Sequence, residues 1–397
     1  MKLLVNTDAH LFRTPDDKIW CEAIYQYSFW QRYLTTFDKV RVVGRLKDTS
    51  NTNKNWLRVD GENVEIWGIP HFQGLKQLAK KYLKIKKALK GVYDGCDAAL
   101  YRMPSPSGQI IYGFKRCNIP FAVEVVYDPI DLLNFNDGIV HYFSSLKFAH
   151  DLKVICKKAN GVSYVTKESI QKNFPSCSII HGESAKDLSS YYSTITLNEA
   201  AYGKPRKYLD KKQFVIAHSN VKMNSNRKGE IILLEALKYV REVGYDVKVM
   251  FIGDGDLRSD FEEKAQKLDI SEYVNFVGLM PTPEAVREKL LIADMYVFPT
   301  LAEGLPRGII EAMAVGLPCI SSPVGGIPEL IDKEYLVPPT DSRGYAEAII
   351  KLISNPEGME KLSAENIEKA LEYKNEILQK RREDFYRKLY NLARLNK

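Results

Sequence analysis

A chain of 397 residues is longer than one hydrophobic core normally serves and fits two domains. With 45% hydrophobic and 27% charged residues it is not a disordered chain, and no run of eighteen apolar residues suits a membrane span. Residues 1–200 hold 27 Lys and Arg against 20 Asp and Glu, so the whole formal charge of +7 lies in the first half.

That asymmetry points to an anionic partner for the first half. No nucleic-acid-binding motif accompanies it, so no nucleic acid is expected. The cysteines at 21, 96, 117, 156, 177 and 319 have no C-x-x-C spacing, which argues against a zinc site and a disulfide framework. The start "MKLLVNTDAH" turns polar too soon for a signal peptide and reads as a buried strand. A cytoplasmic protein is expected.

In the first half "KLLVN", "KVRVVGR", "DAALYR", "PFAVEVV" and "GVSYVT" read as strands. The stretch "VNTDAHLFRTPDD" reads as a loop after the first strand. In "LKQLAKKYLKIKKALKG" (75–91), Leu75, Leu78, Tyr82, Ile85 and Leu89 share one helix face, with Lys76, Lys80, Lys84 and Lys87 opposite. Such a helix either packs on the core with a solvated lysine face or meets anionic lipid headgroups. The second role would make the protein peripheral on the inner face of the cell membrane, and the aromatics of "YQYSFWQRY" (25–33) serve core or acceptor. His10, His71, His141, His150 and His181 read as surface or satisfied residues. Glu124, alternating with apolar strand positions, is a buried partner or an acceptor contact.

The polar segment 189–212 reads as a linker. Beyond it, strands ("QFVIAHS", "DVKVMFIGDG", "VNFVGLM", "DMYVFPT", "PCISS") alternate with helical segments. This is the pattern of a parallel sheet with helices on both faces. The fold class is therefore α/β, two doubly wound Rossmann-like domains facing across a cleft, where ligands bind beyond the carboxyl ends of the strands. "NEILQKRREDFYRKLYNLARLNK" reads as one long amphipathic helix.

The chemistry concentrates in "PTLAEGLPRGIIEAMAVGLPCISS" (299–322). Glu303 follows a strand end, Pro306 suits a helix start, and Gly304 and Gly308 let backbone approach a ligand. The helix that begins there points free N–H groups and its positive dipole end at the cleft, a phosphate site. Glu311, one turn in, can accept from two vicinal ribose hydroxyls. Glu303 would meet whatever hangs from the phosphates. A sugar nucleotide fits that spacing. Taken alone, Glu303 could simply cap the helix and Glu311 lie on the surface. Asp254 and Asp256 in "GDGDL" form a D-x-D metal pattern, but aspartates at a helix start are favoured by capping and dipole, so no metal is expected. "GDGDL" also lacks the third glycine of a dinucleotide site.

Over residues 213–332 this pattern resembles glycosyltransferase family 4, in which "EGLPRGIIEAMAVGLPCI", followed by "PVGGIPELI", is close to the usual form. The resemblance implies a retaining glycosyltransferase of GT-B architecture. Such an enzyme moves a sugar from a nucleotide diphosphate, expected here to be a UDP-sugar, to a hydroxyl of a glycan or lipid-linked glycan. It needs neither a cofactor nor a metal. Residues 1–200 would bind the acceptor and 213–375 the donor, with the 376–397 helix packing back toward the N-terminal domain. Glu303, Gly304, Leu305, Arg307 and Glu311 carry the donor contacts over. The family's basic pair is matched by Lys228 and by either Lys222 or Arg227, to neutralise the diphosphate. Thr7 and Asp8 fall where the family's glycine-rich loop nears the phosphates, though the glycines are missing. "FAVEVVYDPIDLL" resembles a variant among bacterial capsule and exopolysaccharide transferases. There Asp128 is retained without the usual His, as a catalytic contact or a turn residue. A sugar-nucleotide epimerase and a non-catalytic nucleotide-sugar-binding protein are the alternatives.

Overall fold

A computed structural model describes residues 1–22, 25–53, 56–115, 118–131, 139–182 and 188–396. Cys117 and the side chain of His141 lie outside the described residues. The chain divides into two compact units. Met1–Val165, Ile170–Tyr192 and Lys380–Lys397 make the first; Thr166–Ser169 and Ser193–Gln379 make the second.

The first unit is built on a nine-stranded sheet. Its strands are β1 (Lys2–Arg13), β2 (Ile19–Cys21), β3 (Lys39–Asp48), β4 (Leu57–Arg58), β5 (Val64–Pro70), β6 (Ala98–Met103), β7 (Phe121–Val125), β8 (Gly161–Tyr164) and β9 (Leu188–Tyr191). The path runs β4-β2-β1-β6-β7-β8-β9, with β3 beside β1 and β5 beside β3. Pairing is parallel except where β2 meets β1 and β4. The helices between are α1 (Tyr27–Leu34), α2 (Gly74–Ala88), α3 (Pro106–Gly113), α4 (Ile139–Lys158), α5 (Ser169–Asn173) and α6 (Cys177–His181). The apolar strand residues Val40, Val42, Val43, Ala98–Leu100 and Phe121–Val123 are buried, as parallel strands covered on both faces must be.

Two sequence expectations change here. β1 does not stop at Asn6 but continues to Arg13, because Leu11 and Phe12 pair with Cys21 and Trp20 of β2. Thr7 and Asp8 therefore lie inside a strand, at a register shift between Asn6 and His10, and not in a loop. Leu188–Tyr191, placed largely in the linker, is instead a strand paired with β8. Its flanking Tyr192 is buried and donates to Glu124 at 3.0 Å, which ties this polar stretch to the core.

Glu124 is a buried partner. It is ion-paired with Arg102, and it accepts from Tyr33 (3.3 Å), Tyr192 (3.0 Å) and Tyr386 (2.8 Å). Burial alone would raise its carboxyl, but Arg102 and the hydroxyls outweigh that and hold it below the usual range.

The second unit is a five-stranded, wholly parallel sheet of β10 (Gln213–Lys222), β11 (Asp246–Asp254), β12 (Val274–Gly278), β13 (Met295–Phe298) and β14 (Cys319–Ser321). The helices are α7 (Glu230–Glu242), α8 (Arg258–Lys267), α9 (Pro283–Ile292), α10 (Arg307–Ala314), α11 (Ser342–Ile353) and α12 (Pro356–Leu371), while α13 (Asn375–Leu395) starts in this unit and belongs to the first from Lys380 on. α7 buries Leu233, Leu234, Leu237 and Val240, a helical stripe that packs with Tyr345, Ile349 and Leu352 of α11 in one core. The strand order is β12-β11-β10-β13-β14, so the chain reverses direction across the sheet between β10 and β13. Such a switch point leaves a crevice beyond the strand ends, and that is where this unit keeps its polar chemistry.

Candidate functional site

The loops leaving β10 and β13 flank the switch point. The loop after β10 ends in a 3-10 turn, Asn226–Lys228, and Gly229 in a left-handed conformation (φ 83°) starts α7. Gly229 is required there twice over, because a side chain would be strained at that φ and its Cβ would collide with the Pro299 carbonyl. The Arg227 carbonyl accepts from Leu301 N (2.8 Å) and Thr300 Oγ1 (3.2 Å), so the two loops are stitched together.

That stitching brings the Lys228 ammonium into an ion pair with the Glu303 carboxylate, both groups being partly buried. Lys228 Nζ also lies 5.7 Å from the centre of the Phe298 ring. Glu303 and Gly304 are backed by the loop after β14. Gly326 N donates to the Gly304 carbonyl (2.6 Å), and a Cβ at Gly325 would strike the Glu303 carbonyl. The glycine pair of "PVGGIPE" is thus what lets this loop press against the site.

α10 starts at Arg307, with Pro306 at its N-cap and not inside its first turn, and no side chain closes that end. α7 and α8 likewise have no capping side chain, whereas Thr282, Asp341 and Asn355 cap α9, α11 and α12. The uncapped N-termini of α7 and α10 lie beside the switch point, with dipoles favouring an anion. Gly308 lets α10 lie close on the sheet, since a Cβ there would be 2.6 Å from the Tyr296 hydroxyl.

Glu311 stands one turn into α10 and lines a cavity of about 110 Å³ with Leu197, Pro283, Arg287 and Leu290. Burial pushes its carboxyl up, against the opposing pull of Arg307. Leu305 is buried and Arg307 half-buried. Lys222 closes β10 on the exposed side of the same loop, and Arg227 is half-buried within it. Lys222, Arg227, Lys228, Glu303, Gly304, Leu305, Arg307 and Glu311 therefore all gather around one switch point.

Thr7, Asp8 and Asp128 belong to the first unit. Thr7 is buried and its hydroxyl accepts from Ala9 N (3.1 Å); Asp8 accepts from the Ser107 hydroxyl (2.5 Å). Thr7 thus braces the strand bulge, and Asp8 ties it to the start of α3. Asp128 is buried with both carboxylate oxygens engaged, one by Ile130 N (2.7 Å) and the other by Asn173 Nδ2 (2.6 Å). Burial raises its carboxyl, opposed by those two donors. The bond from Ile130 N is the geometry of a turn residue. His10 and His71 satisfy each other across 2.6 Å, and burial with His10 lowers His71 to about 4. Asp254 ends β11 and pairs with Arg258 (3.7 Å); among the described residues no group of three or more His, Cys, Asp or Glu is arranged to hold a metal.

Sequence reading passes over His218, Asn220 and Glu230, which form a buried polar group directly behind Lys228. The available signal was the polar pair in "QFVIAHSN": a strand covered on both faces must give its histidine and asparagine partners.

The switch point thus gathers two uncapped helix starts, a loop lysine and two helix-proximal glutamates. Residues 204–370 match the family described as glycosyl transferases group 1, and the chain is a glycosyltransferase. It is 29% identical over 374 residues to protein CapJ of Staphylococcus aureus, covering 92% of this chain and 91% of that one. It is 33% identical over 137 residues to the amylovoran biosynthesis glycosyltransferase AmsK of Erwinia amylovora, about a third of each chain. Among solved structures it resembles sucrose-phosphate synthase of Thermosynechococcus elongatus, with TM-score 0.71, 16% identity and coverage of 98% and 99%. It also resembles Anabaena HepE, solved in complex with UDP-glucose, with TM-score 0.64, 16% identity and coverage of 97% and 98%. Likeness at that identity speaks to the fold, which is GT-B.

Proposed function

We propose that the protein transfers a sugar, with retention, from a UDP-sugar to a hydroxyl of a glycan or lipid-linked glycan during synthesis of a bacterial surface polysaccharide. The observation that carries this reading is the Lys228–Glu303 ion pair set between two uncapped helix N-termini at the switch point. The α7 and α10 N-termini and Lys228, aided by Lys222 or Arg227, offset the charge of the diphosphate as the sugar bond breaks. Glu311 accepts from the ribose hydroxyls. Glu303 takes the donor sugar, with Gly304, Leu305 and Arg307 forming the wall behind it. HepE, with UDP-glucose, and AmsK, an amylovoran biosynthesis enzyme, support the donor and the pathway class. Retention is what the family resemblance implies.

The acceptor reading draws on the first unit. α2 bears Lys76, Lys80, Lys84 and Lys87, all exposed, and buries only Ile85 within its span. Leu83 on α2 is 79% exposed and Phe143 on α4 62% exposed, while Leu75, Leu78, Tyr82, Phe114 and Phe148 line a groove of about 470 Å³. A basic helix beside exposed apolar side chains suits an anionic membrane surface carrying a lipid-linked acceptor. Among the described residues no helix is long and apolar enough to cross a membrane.

The test is turnover of radiolabelled UDP-glucose, UDP-galactose and UDP-N-acetylglucosamine with a lipid extract of polysaccharide-producing cells, followed by anomeric assignment of the product. Label transferred with retained configuration supports the reading. Inversion, free epimer without transfer, or no transfer from any UDP-sugar overturns it.

A further inference from the structure

Behind the site lie three buried polar residues that the donor reading leaves unused. Asn220, near the end of β10, donates from Nδ2 to Glu230 Oε1 at 2.6 Å, and its Oδ1 accepts from Lys222 N at 3.3 Å. Glu230 is the first residue of α7 and is fully buried. Asn220 and Glu230 therefore stand at the two ends of the segment that carries Lys222, Arg227 and Lys228. Their hydrogen bond closes that segment at its base. The strand end is held from the other side too, because Gly253 of β11 approaches so closely that a Cβ there would collide with the Asn220 carbonyl.

His218 completes the group. It is fully buried, and its Nδ1 lies 3.0 Å from the Val297 carbonyl, which can only accept, so that nitrogen carries a hydrogen. Its Nε2 faces Glu230 Oε1 at 3.7 Å. The ring packs between Phe251 and Phe298, at 5.3 Å from each, and Phe298 is the ring beneath the Lys228 ammonium. A chain of contact thus runs from the buried carboxylate through His218 and Phe298 to Lys228. Burial alone would raise the Glu230 carboxyl, yet His218 and Asn220 hold it below the usual range.

A carboxylate buried at a helix start costs free energy unless its contacts return it. A capping role does not account for it, since Gly229 occupies the N-cap and Glu230 points into the sheet toward Asn220. We propose that Asn220 and Glu230 are positioning residues that close the basic loop at its base and so hold Lys228 where a nucleoside diphosphate meets it. The inference rests on the reading of Lys228 as a diphosphate contact. It adds that the affinity for the second phosphate is set by a hydrogen bond beneath the loop, between two residues that do not touch the ligand.

Calorimetry with UDP and with UMP on the full chain tests it, because the ratio of the two affinities isolates the terminal phosphate. Losing the clasp should lower UDP affinity by about 10-fold in Asn220→Ala and Glu230→Ala, and leave UMP within about 3-fold. Glu230→Gln keeps an acceptor for Asn220 and should restore the wild-type ratio. The double variant should be no worse than either single one, since both break the same bond. Equal weakening of UDP and UMP, an unchanged ratio in both alanine variants, or a Glu230→Gln ratio as poor as Glu230→Ala would overturn the clasp. Lys228→Ala separates the two readings. If it lowers the ratio and the clasp variants do not, the clasp alone fails; if it leaves the ratio unchanged, the diphosphate reading fails and takes the clasp with it. Thermal unfolding is followed for each variant. Should Glu230→Ala not fold, Asn220→Ala, which removes only a neutral amide, breaks the same bond and decides the matter in its place.

Discussion

Lys228 and Glu303, 75 residues apart in sequence, are joined in an ion pair. Each therefore neutralises the other. On the proposed reading a donor separates them, drawing the ammonium to phosphate and leaving the carboxylate for the sugar.

Glu303→Ala removes the internal competitor for Lys228 without removing a phosphate contact. UDP should bind the variant as tightly as wild type or more tightly, while kcat with the complete donor falls, because Glu303 would meet the sugar as its charge changes. A loss of one charge-assisted contact of about 1.5–3 kcal/mol corresponds to roughly 10- to 150-fold. Calorimetry with UDP and initial rates with the UDP-sugar decide this; weakened UDP binding would contradict it.

Glu311→Ala should do the reverse. Ribose contacts are alike in ground and transition states, so the donor KM should rise by about 10- to 150-fold with kcat little changed. Its pH behaviour has a definite sign. Burial raises the Glu311 carboxyl in the folded protein, so the ionised form opposes folding and the protein without donor gains stability as pH falls through that raised value. The ribose contact needs the ionised form, so UDP affinity should fall on acidification at a higher pH than an ordinary carboxylate would give. Glu311→Gln should bind more weakly at neutral pH and lose that limb of the profile; an identical limb in the variant would remove Glu311 as its source.

Gly229→Ala should destabilise the second unit. The left-handed backbone at φ 83° costs a side chain about 1–2 kcal/mol, and the collision with the Pro299 carbonyl adds to it. Urea unfolding and UDP calorimetry should both register the change, since the same turn presents Lys228. A variant as stable as wild type would mean that the turn relaxes freely.

Glu124→Ala leaves Arg102 buried and uncompensated, a loss of about 3–5 kcal/mol from a typical total of about 5–15 kcal/mol. Because the Glu124 carboxyl is depressed in the folded state, its contribution is present above the ordinary carboxylate range and is lost as pH falls through the folded value. Acid unfolding of Glu124→Gln should accordingly lack part of the wild-type slope, and an unchanged slope would place the acid sensitivity elsewhere.

Lys80→Gln combined with Lys84→Gln should weaken cosedimentation with phosphatidylglycerol vesicles. At about 1 kcal/mol for each lysine near an anionic surface, the pair is worth roughly 30-fold in partitioning. Turnover of a water-soluble acceptor should not change. Equal vesicle binding by wild type and variant would return α2 to an ordinary solvated face.

The α/β fold class, and the nearness in sequence of the residues proposed to meet the donor, were legible in the order of residues alone. Strand and helix periods repeat within a few residues, and Lys228-Gly229 and the Glu303–Glu311 spacing each lie within one strand–loop–helix unit. Partners far apart in the chain emerged only with the folded arrangement. A period of two tells which face a strand residue takes, but not which strand lies beside it. Glu124 was therefore ambiguous until sheet order put Arg102 next to it on β6. Thr7 and Asp8 read as a loop because the hairpin partner that extends β1 lies beyond the next turn. Asp128 has its partner Asn173 of α5 45 residues further along the chain. The Asn220–Glu230 bond spans ten residues, yet it joins a strand end to a helix start across a loop whose path no local period encodes.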